Sequence, residues 1–294
     1  MSEFSSADLK FMQRALELAA HGRFGAHPNP MVGCVLVQDG QIVGEGWHAL
    51  AGEAHAEVVA LQDAGAAARG AIAYVTLEPC SHHGKTPPCC DALIAAGVRE
   101  VVIARDDPNP KVDGQGIAKL QTAGIRVRSG LLAADADSLM AGFLHRIENG
   151  RPRVRLKIAA SLDGRTAMAN GESQWITGEE ARADVQRLRA ESGAVLTGVG
   201  TVLADDPSLN VRNQNLNPND RQPLRVILDR KLRTPIKSRL LSLPGTTLIF
   251  CSAGNDAQPL RQAGAEIIEL GSTSSGLDLA PVLRILAERQ VNDV

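Results

Sequence analysis

Two short stretches and one further cysteine carry side chains that could do chemistry together. His55-Ala56-Glu57 supplies an imidazole and a carboxylate, and Pro79-Cys80 with Cys89 supplies two thiols. Thiolates with an imidazole suit zinc, and three protein ligands leave a fourth position for water, the arrangement of a catalytic site. A carboxylate that is not a ligand, here Glu57, can then move protons while metal-activated water attacks an amidine-like carbon and ammonia leaves. The alternative is a structural site closed by a fourth protein ligand, with Cys90, His82 and His83 as candidates; it leaves Glu57 without a task. Cys90 adjoins Cys89 and on a helix points about 100° away. It reads as a core thiol, as do Cys34, inside an apolar run, and Cys251.

Convergence of these groups demands particular elements. His55 and Glu57 lie about 200° apart on a helical wheel, so they meet one metal only from the first turn of a helix over residues 55–68, whose positive end favours an anionic oxygen. Cys80 leaves a buried strand, 71–77. Cys89 opens a short helix, 89–96, stopped by Gly97, and a helix N-terminus lowers a thiol's pKa. Around them, Ser6 can cap a helix with Leu9, Met12, Leu16 and Ala19 at helical spacing. Asp39-Gly40 is a type I′ hairpin signal between strands 32–37 and 41–46. Strands 99–104 and 125–127 alternate with helices 116–123 and 133–147. Strands alternating with helices predict an α/β layer sandwich, and the hairpin makes its sheet mixed.

Asn149-Gly150-Arg151-Pro152 is the best boundary, dividing the chain into residues 1–149 and 150–294. Beyond it the pattern predicts strands over 154–158, 194–198, 224–228 and 246–250, helices over 179–191 and 279–288, a loop rich in Asp, Asn and Pro over 203–220, and a strand opening at Val291. Aromatics make up only 3% of residues, so both cores must be built from Val, Leu, Ile and Ala. A net charge of −2 provides no basic field for nucleic acid. No apolar run approaches the roughly 20 residues of a spanning helix, and no basic segment marks a membrane partner. An odd, unevenly clustered set of five cysteines, without a secretory signal, predicts reduced thiols and a cytoplasmic protein.

His55-Ala56-Glu57 and Pro79-Cys80 match the H-x-E…P-C-x-x-C pattern of zinc deaminases, but eight residues separate Cys80 from Cys89. That longer loop belongs to a narrower resemblance. Asn29-Pro30-Met31-Val32-Gly33, Gly46-Trp47-His48, His55-Ala56-Glu57 and the run from Glu78 to Cys89 resemble the deaminase domain of the bifunctional riboflavin-biosynthesis deaminase/reductase family. Lys157-Ile158-Ala159-Ala160-Ser161-Leu162-Asp163-Gly164-Arg165, Gly171-Glu172-Ser173-Gln174-Trp175-Ile176-Thr177 and the run from Gly198 to Pro207 resemble its reductase domain. The resemblance covers nearly the whole chain, in order.

It implies a cytidine deaminase-like domain followed by a dihydrofolate reductase-like domain. It also implies a substrate, 2,5-diamino-6-ribosylamino-4(3H)-pyrimidinone 5′-phosphate, whose 2-amino group is removed before NADPH reduces the ribosyl group to ribityl. By the same resemblance zinc is held by His55, Cys80 and Cys89, Glu57 is the proton carrier, and Asn29, His48 and Lys85 contact substrate. In the second domain Ala159, Trp175, Thr201 and Asp205 become cofactor residues, and Ser173, Arg189, Leu209 and Arg212 substrate residues. Lys157 and Asp205 are the nearest proton-handling candidates for the reduction. The resemblance is compatible with a homo-oligomer, which no residue pattern here demands. One departure stands out. The family's reductase domain continues through a Glu-Ala-Gly-x-Thr strand–loop that does not follow Val294, so the second domain is expected to be incomplete and its reductase activity impaired.

Three rival readings compete with this one. A deaminase acting on tRNA or single-stranded DNA needs a positive groove and stacking aromatics, which the charge and composition oppose. A structural zinc module fused to a nucleotide-binding domain leaves Glu57 idle. A deaminase for free cytidine or dCMP is distinguished by comparing ammonia release from these with release from the pyrimidinone phosphate.

Overall fold

The computed structural model describes residues 4–81, 87–110, 112–217, 220–273 and 276–294. The chain divides into two compact units, Met1–Asn149 and Gly150–Val294.

The first unit opens with α1 (Ser6–Ala20). Its cap is Ser5 rather than Ser6. The Ser5 hydroxyl accepts from the Asp8 N–H at 3.1 Å while the Asp8 carboxylate accepts from the Ser5 N–H at 2.8 Å. Only Ser5 has an acid three positions on, so only Ser5 closes this reciprocal box. Strands β1 (Gly33–Gln38) and β2 (Gln41–Trp47) form the expected hairpin, with positive φ at both Asp39 and Gly40. Then come α2 (Ala56–Ala64), β3 (Ile72–Val75), α3 (Cys89–Ala96), β4 (Glu100–Ile103), α4 (Gln115–Thr122) and β5 (Arg126–Ser129). The sheet order is β2-β1-β3-β4-β5; β1 is antiparallel to both neighbours, and β3, β4 and β5 run parallel. The predicted helix over 133–147 is instead α5 (Ala133–Leu139) and α6 (Ala141–Asn149). The break falls at Met140, and it lets Ala136, Met140, Phe143 and Leu144 share one apolar layer.

Strand alternation sends Val35, Val37 and Tyr74 to the face covered by α1, α5 and α6. Cys34, Leu36 and Val75 go to the opposite face, with Ala56, Ala60, Leu93 and Leu120 of α2, α3 and α4. This is the α/β/α sandwich with a mixed sheet that the pattern predicts.

In the second unit β6 (Ala194–Gly198), β7 (Leu224–Leu228), β8 (Thr247–Ser252) and β9 (Ala265–Leu270) form a parallel sheet in that order. α7 (Glu179–Glu191) precedes it, and a C-terminal helix (Leu279–Glu288) packs Val282 and Leu286 against Val226, Leu248 and Phe250. Three expectations fail here. Residues 203–205, expected to open the loop, instead end a short helix, α8 (Val199–Asp205), because Val199 and Val202 bury against Ile227 and Ile249. Residues 154–158 are not a strand. Arg153 and Arg155 bond to the backbone of Asn292 and Val294, around an isolated bridge from Arg153 to Asp293. Past Arg155 no strand partner exists among the described residues, and Leu156 is 84% exposed. The strand expected to open at Val291 is limited to the same bridge.

Asp8 ties α1 to the sheet. Its carboxylate accepts from the Tyr74 hydroxyl at 2.7 Å and from the Arg128 guanidinium at 3.1 Å, and Arg128 also donates to Glu100 at 2.6 Å. Burial pushes the Asp8 carboxyl up, but the bonds from Arg128, Tyr74 and Ser5 outweigh it and hold it well below the usual carboxylate range. A depressed folded-state value gives stability that is present above the unfolded value of about 3.9 and lost as pH falls below it. Asp8→Asn is therefore expected to cost about 2–3 kcal/mol at neutral pH. Denaturant unfolding across a pH series should also show a shallower loss of stability below about pH 4 in the variant than in the parent chain.

Candidate active site

The metal-ligating candidates converge where α2, the end of β3 and α3 meet. His55 is the N-cap residue of α2, with extended backbone (φ −76°, ψ 161°), and Glu57 lies in the first turn. α2 reaches this position because β2 carries glycines beneath it. A Cβ at Gly44 would lie 2.3 Å from the Ala60 carbonyl, and one at Gly46 would lie 2.4 Å from that of Ala56. Cys89 begins α3, as expected.

The His55 Nδ1 atom lies 3.1 Å from Cys89 Sγ and 3.7 Å from Cys80 Sγ, and the three ligand atoms all fall within 4.8 Å of one another. A tetrahedral zinc with bonds of about 2.0–2.3 Å needs ligand atoms about 3.4–3.8 Å apart, so the set is close to the required size. A hydrogen bond from Cys89 draws Cys80 down toward the thiolate, and the Cys89 N–H also donates to that sulfur at 3.3 Å. Cys90 is buried and donates to the Pro79 carbonyl at 3.2 Å, and burial raises its pKa to about 12, as suits an inert thiol.

Glu57 is 3% exposed, and its Oε2 is buried with no hydrogen-bond partner among the described residues. Burial pushes its carboxyl up to about 7, with the Cys80 charge adding to the shift. A buried carboxylate oxygen without a partner, beside two sulfurs and an imidazole, fits a divalent cation and its water.

Next to it, His48 Nδ1 lies 3.1 Å from the Ala54 carbonyl and His48 Nε2 lies 3.0 Å from Asn29 Nδ2. A carbonyl only accepts, so Nδ1 carries the proton; burial lowers the His48 pKa and keeps the ring neutral, so Nε2 accepts from Asn29. The Asn29 amide is thereby oriented with its oxygen left for another donor. His48 and His55 meet edge to face at 5.3 Å. Lys85, His82 and His83 lie outside the described residues.

The candidates in the second unit are brought together only in part. Lys157, Arg189 and Leu209 line one cavity of about 370 Å³ with Leu188, Thr197 and Val282. Arg189 donates to the Asn210 carbonyl at 3.1 Å; burial, then the nearby charge of Arg212, lowers its pKa. Arg212 is held from its backbone, whose N–H donates to Gln186 at 2.8 Å. Thr201 and Asp205 sit on α8, exposed. Ala159, Ser173 and Trp175 belong to the open segment after Arg155; Trp175 is 71% exposed, with the Arg182 guanidinium 4.6 Å from its ring centre. Sequence reasoning overlooked Glu78 and Gln186. Glu78 stood in plain view between a strand end and Pro79-Cys80, but nothing in that spacing shows what its carboxylate binds.

Comparison with known proteins accounts for both units. Residues 5–105 match the cytidine and deoxycytidylate deaminase zinc-binding region, and residues 152–294 match the RibD C-terminal domain. The riboflavin biosynthesis protein RibD of Escherichia coli is 52% identical over 296 residues, which cover 98% of this chain and 80% of that protein. RibD of Acinetobacter baumannii superposes with a TM-score of 0.91 at 49% identity, covering 98% of this chain and 79% of that one. A diaminohydroxyphosphoribosylaminopyrimidine deaminase/5-amino-6-(5-phosphoribosylamino)uracil reductase of Thermotoga maritima superposes at 0.86 with 40% identity, covering 98% and 80%. No helix among the described residues is long and apolar enough to cross a membrane. A zinc-binding deaminase fold and a RibD-type reductase domain in one polypeptide, at this identity and coverage, make the chain a member of the RibD family, the bifunctional deaminase/reductases of riboflavin biosynthesis.

Proposed function

We propose that unit 1, residues 1–149, is the zinc-dependent deaminase and unit 2, residues 150–294, the NADPH-dependent reductase. The first removes the 2-amino group of 2,5-diamino-6-ribosylamino-4(3H)-pyrimidinone 5′-phosphate, and the second reduces the ribosyl group of the product. The observation that carries the first half is the His55–Cys80–Cys89 cluster with the orphaned Glu57 oxygen beside it. His55 Nδ1 and the sulfurs of Cys80 and Cys89 would hold one zinc. Zinc bound there lowers the pKa of a water toward about 7. Glu57, with its unpartnered Oε2 at the site, would accept a proton from the water as a C2–O bond forms. It would pass that proton to the ring nitrogen, then carry a second proton from the new C2 hydroxyl to the amine as the C2–N bond breaks, so that water is consumed and ammonia released. The buried site keeps bulk water from competing for these transfers. Asn29, oriented by His48, offers its amide oxygen to a ring N–H, and Lys85 meets the phosphate.

In unit 2 an added Cβ at Gly198 or Gly200 would meet nothing within 4 Å. Packing among the described residues does not demand glycine there, and the exposed backbone suits close approach of a phosphate. Thr201, Asp205, Ala159 and Trp175 would hold NADPH, which supplies the hydride for C1′. Arg189 and Arg212 hold the substrate phosphate, as two adjacent guanidiniums can, with Leu209 and Ser173 against the rest of the molecule. Lys157, in the same cavity as Arg189, is placed to handle the proton that goes to the sugar ring oxygen, and Asp205 is the second candidate. The working partner is a small phosphorylated pyrimidine, with no nucleic acid or membrane required; a cytoplasmic homo-oligomer is consistent with this reading.

Glu57→Gln is expected to retain zinc at the parent stoichiometry while deamination falls about 10²–10⁴-fold; metal analysis and ammonia release from the pyrimidinone phosphate check both. Loss of zinc, or unchanged turnover, contradicts the assignment of Glu57. Arg189→Ala is expected to weaken binding of the deaminated phosphorylated intermediate about 10–100-fold, the loss of a charged hydrogen bond. Calorimetry should show little change for the dephosphorylated analogue.

A further inference from the structure

Glu78 is 4% exposed, and among the described residues its carboxylate bonds to backbone N–H groups. Oε1 accepts from the N–H groups of Gly116 at 2.9 Å and Ile117 at 3.2 Å; Oε2 accepts from those of Gly114 at 3.1 Å and Asp107 at 3.3 Å. One acid thus gathers the N-terminal amides of α4 and the loop that precedes it. Its own N–H donates to the Arg105 carbonyl at 2.9 Å, so the residue is fixed at backbone and side chain together.

The residues that follow are Pro79 and the metal-ligand candidate Cys80. The Pro79 carbonyl rests on Gly116, where a Cβ would come within 2.1 Å of it, and accepts from the Cys90 thiol at 3.2 Å. The Cys80 carbonyl accepts from the Cys90 N–H at 3.2 Å, and the Cys80 sulfur accepts from the Cys89 N–H. The turn that aims Cys80 is therefore clamped between two helix N-termini. α3 grips it through Cys89 and Cys90, and α4 grips it through Glu78 and Gly116.

We infer that Glu78 is the positioning residue of the metal site. By binding the start of α4 it sets the height of the Pro79-Cys80 turn and so the place of the Cys80 sulfur relative to His55 and Cys89. A preorganised ligand set binds metal more tightly than one that must be gathered, and groups behind the ligands typically contribute 10–100-fold in affinity. Glutamine has the shape of glutamate but turns one acceptor into a donor. In Glu78→Gln, two of the four N–H groups would face an NH₂. This inference rests on the zinc reading above.

The test is competitive zinc titration against a chromophoric chelator, with cobalt substitution to read the thiolate charge-transfer band. Wild type is compared with Glu78→Gln and with Met140→Ala, a variant of the opposite core layer that lowers stability without touching the turn. The expected result is zinc affinity weakened about tenfold or more in Glu78→Gln, a shifted cobalt spectrum, and wild-type affinity in Met140→Ala. Affinity within twofold of wild type in Glu78→Gln, or an equal loss in Met140→Ala, overturns the inference while leaving the zinc site standing. A wild-type protein that binds no zinc overturns both. Should Glu78→Gln not fold, hydrogen exchange on the wild type decides. Zinc loading is expected to slow exchange at the amides of Gly114, Gly116 and Ile117, and unchanged rates there overturn the inference.

Discussion

The first unit depends on a constraint that is unfavourable by itself. Glu57 is a carboxylate removed from water, with one oxygen unpartnered, next to a thiol drawn toward its anion. Burying like charges together is costly unless a cation balances them, and the neighbouring imidazole and sulfurs are the donors that would hold one. The rest of the unit can be understood as what makes this cluster tolerable. Glycines at 44 and 46 let α2 come down on β2, so that His55 and Glu57 project from its first turn. The α3 N-terminus supplies Cys89 and an N–H for Cys80. The neutral His48, bonded on both nitrogens, packs edge to face on His55 without adding charge.

Much of this was legible in the sequence, for identifiable reasons. The helix from Cys89 to Ala96 falls where read because Gly97 takes a left-handed conformation that ends it. The hairpin at Asp39-Gly40 follows from two residues that tolerate positive φ. The misreadings have physical causes too. The loop expected from Leu203 starts three residues later, because burial of Val199 and Val202 holds Val199–Asp205 as a helix despite poor propensity. The alternation of Val154, Leu156 and Ile158 says that one face of the segment wants cover. It cannot say what provides that cover, and among the described residues nothing does beyond Arg155. Glu78 escaped notice because its partners are backbone N–H groups some 30 to 40 residues away, and backbone leaves no residue-type signature.

The two units use charge in opposite ways. In the first, excess negative character awaits a cation. In the second, burial and then the nearby charge of Arg212 lower the pKa of Arg189, which is anchored to a carbonyl rather than a carboxylate. Such a pair is costly until an anion arrives, which suits a phosphate-bearing substrate. Membership of the RibD family joins the two halves chemically, because the deaminated, still phosphorylated product of one site is what the other reduces.

The central claim is that the metal has three protein ligands and one exchangeable position beside Glu57. X-ray absorption at the zinc edge of the loaded protein tests it most directly. The account expects two sulfur scatterers at about 2.3 Å and two nitrogen or oxygen scatterers at about 2.0–2.1 Å, one of the latter replaced on adding a competitive inhibitor. Three sulfurs, or a fully protein-ligated shell that no inhibitor alters, would contradict it.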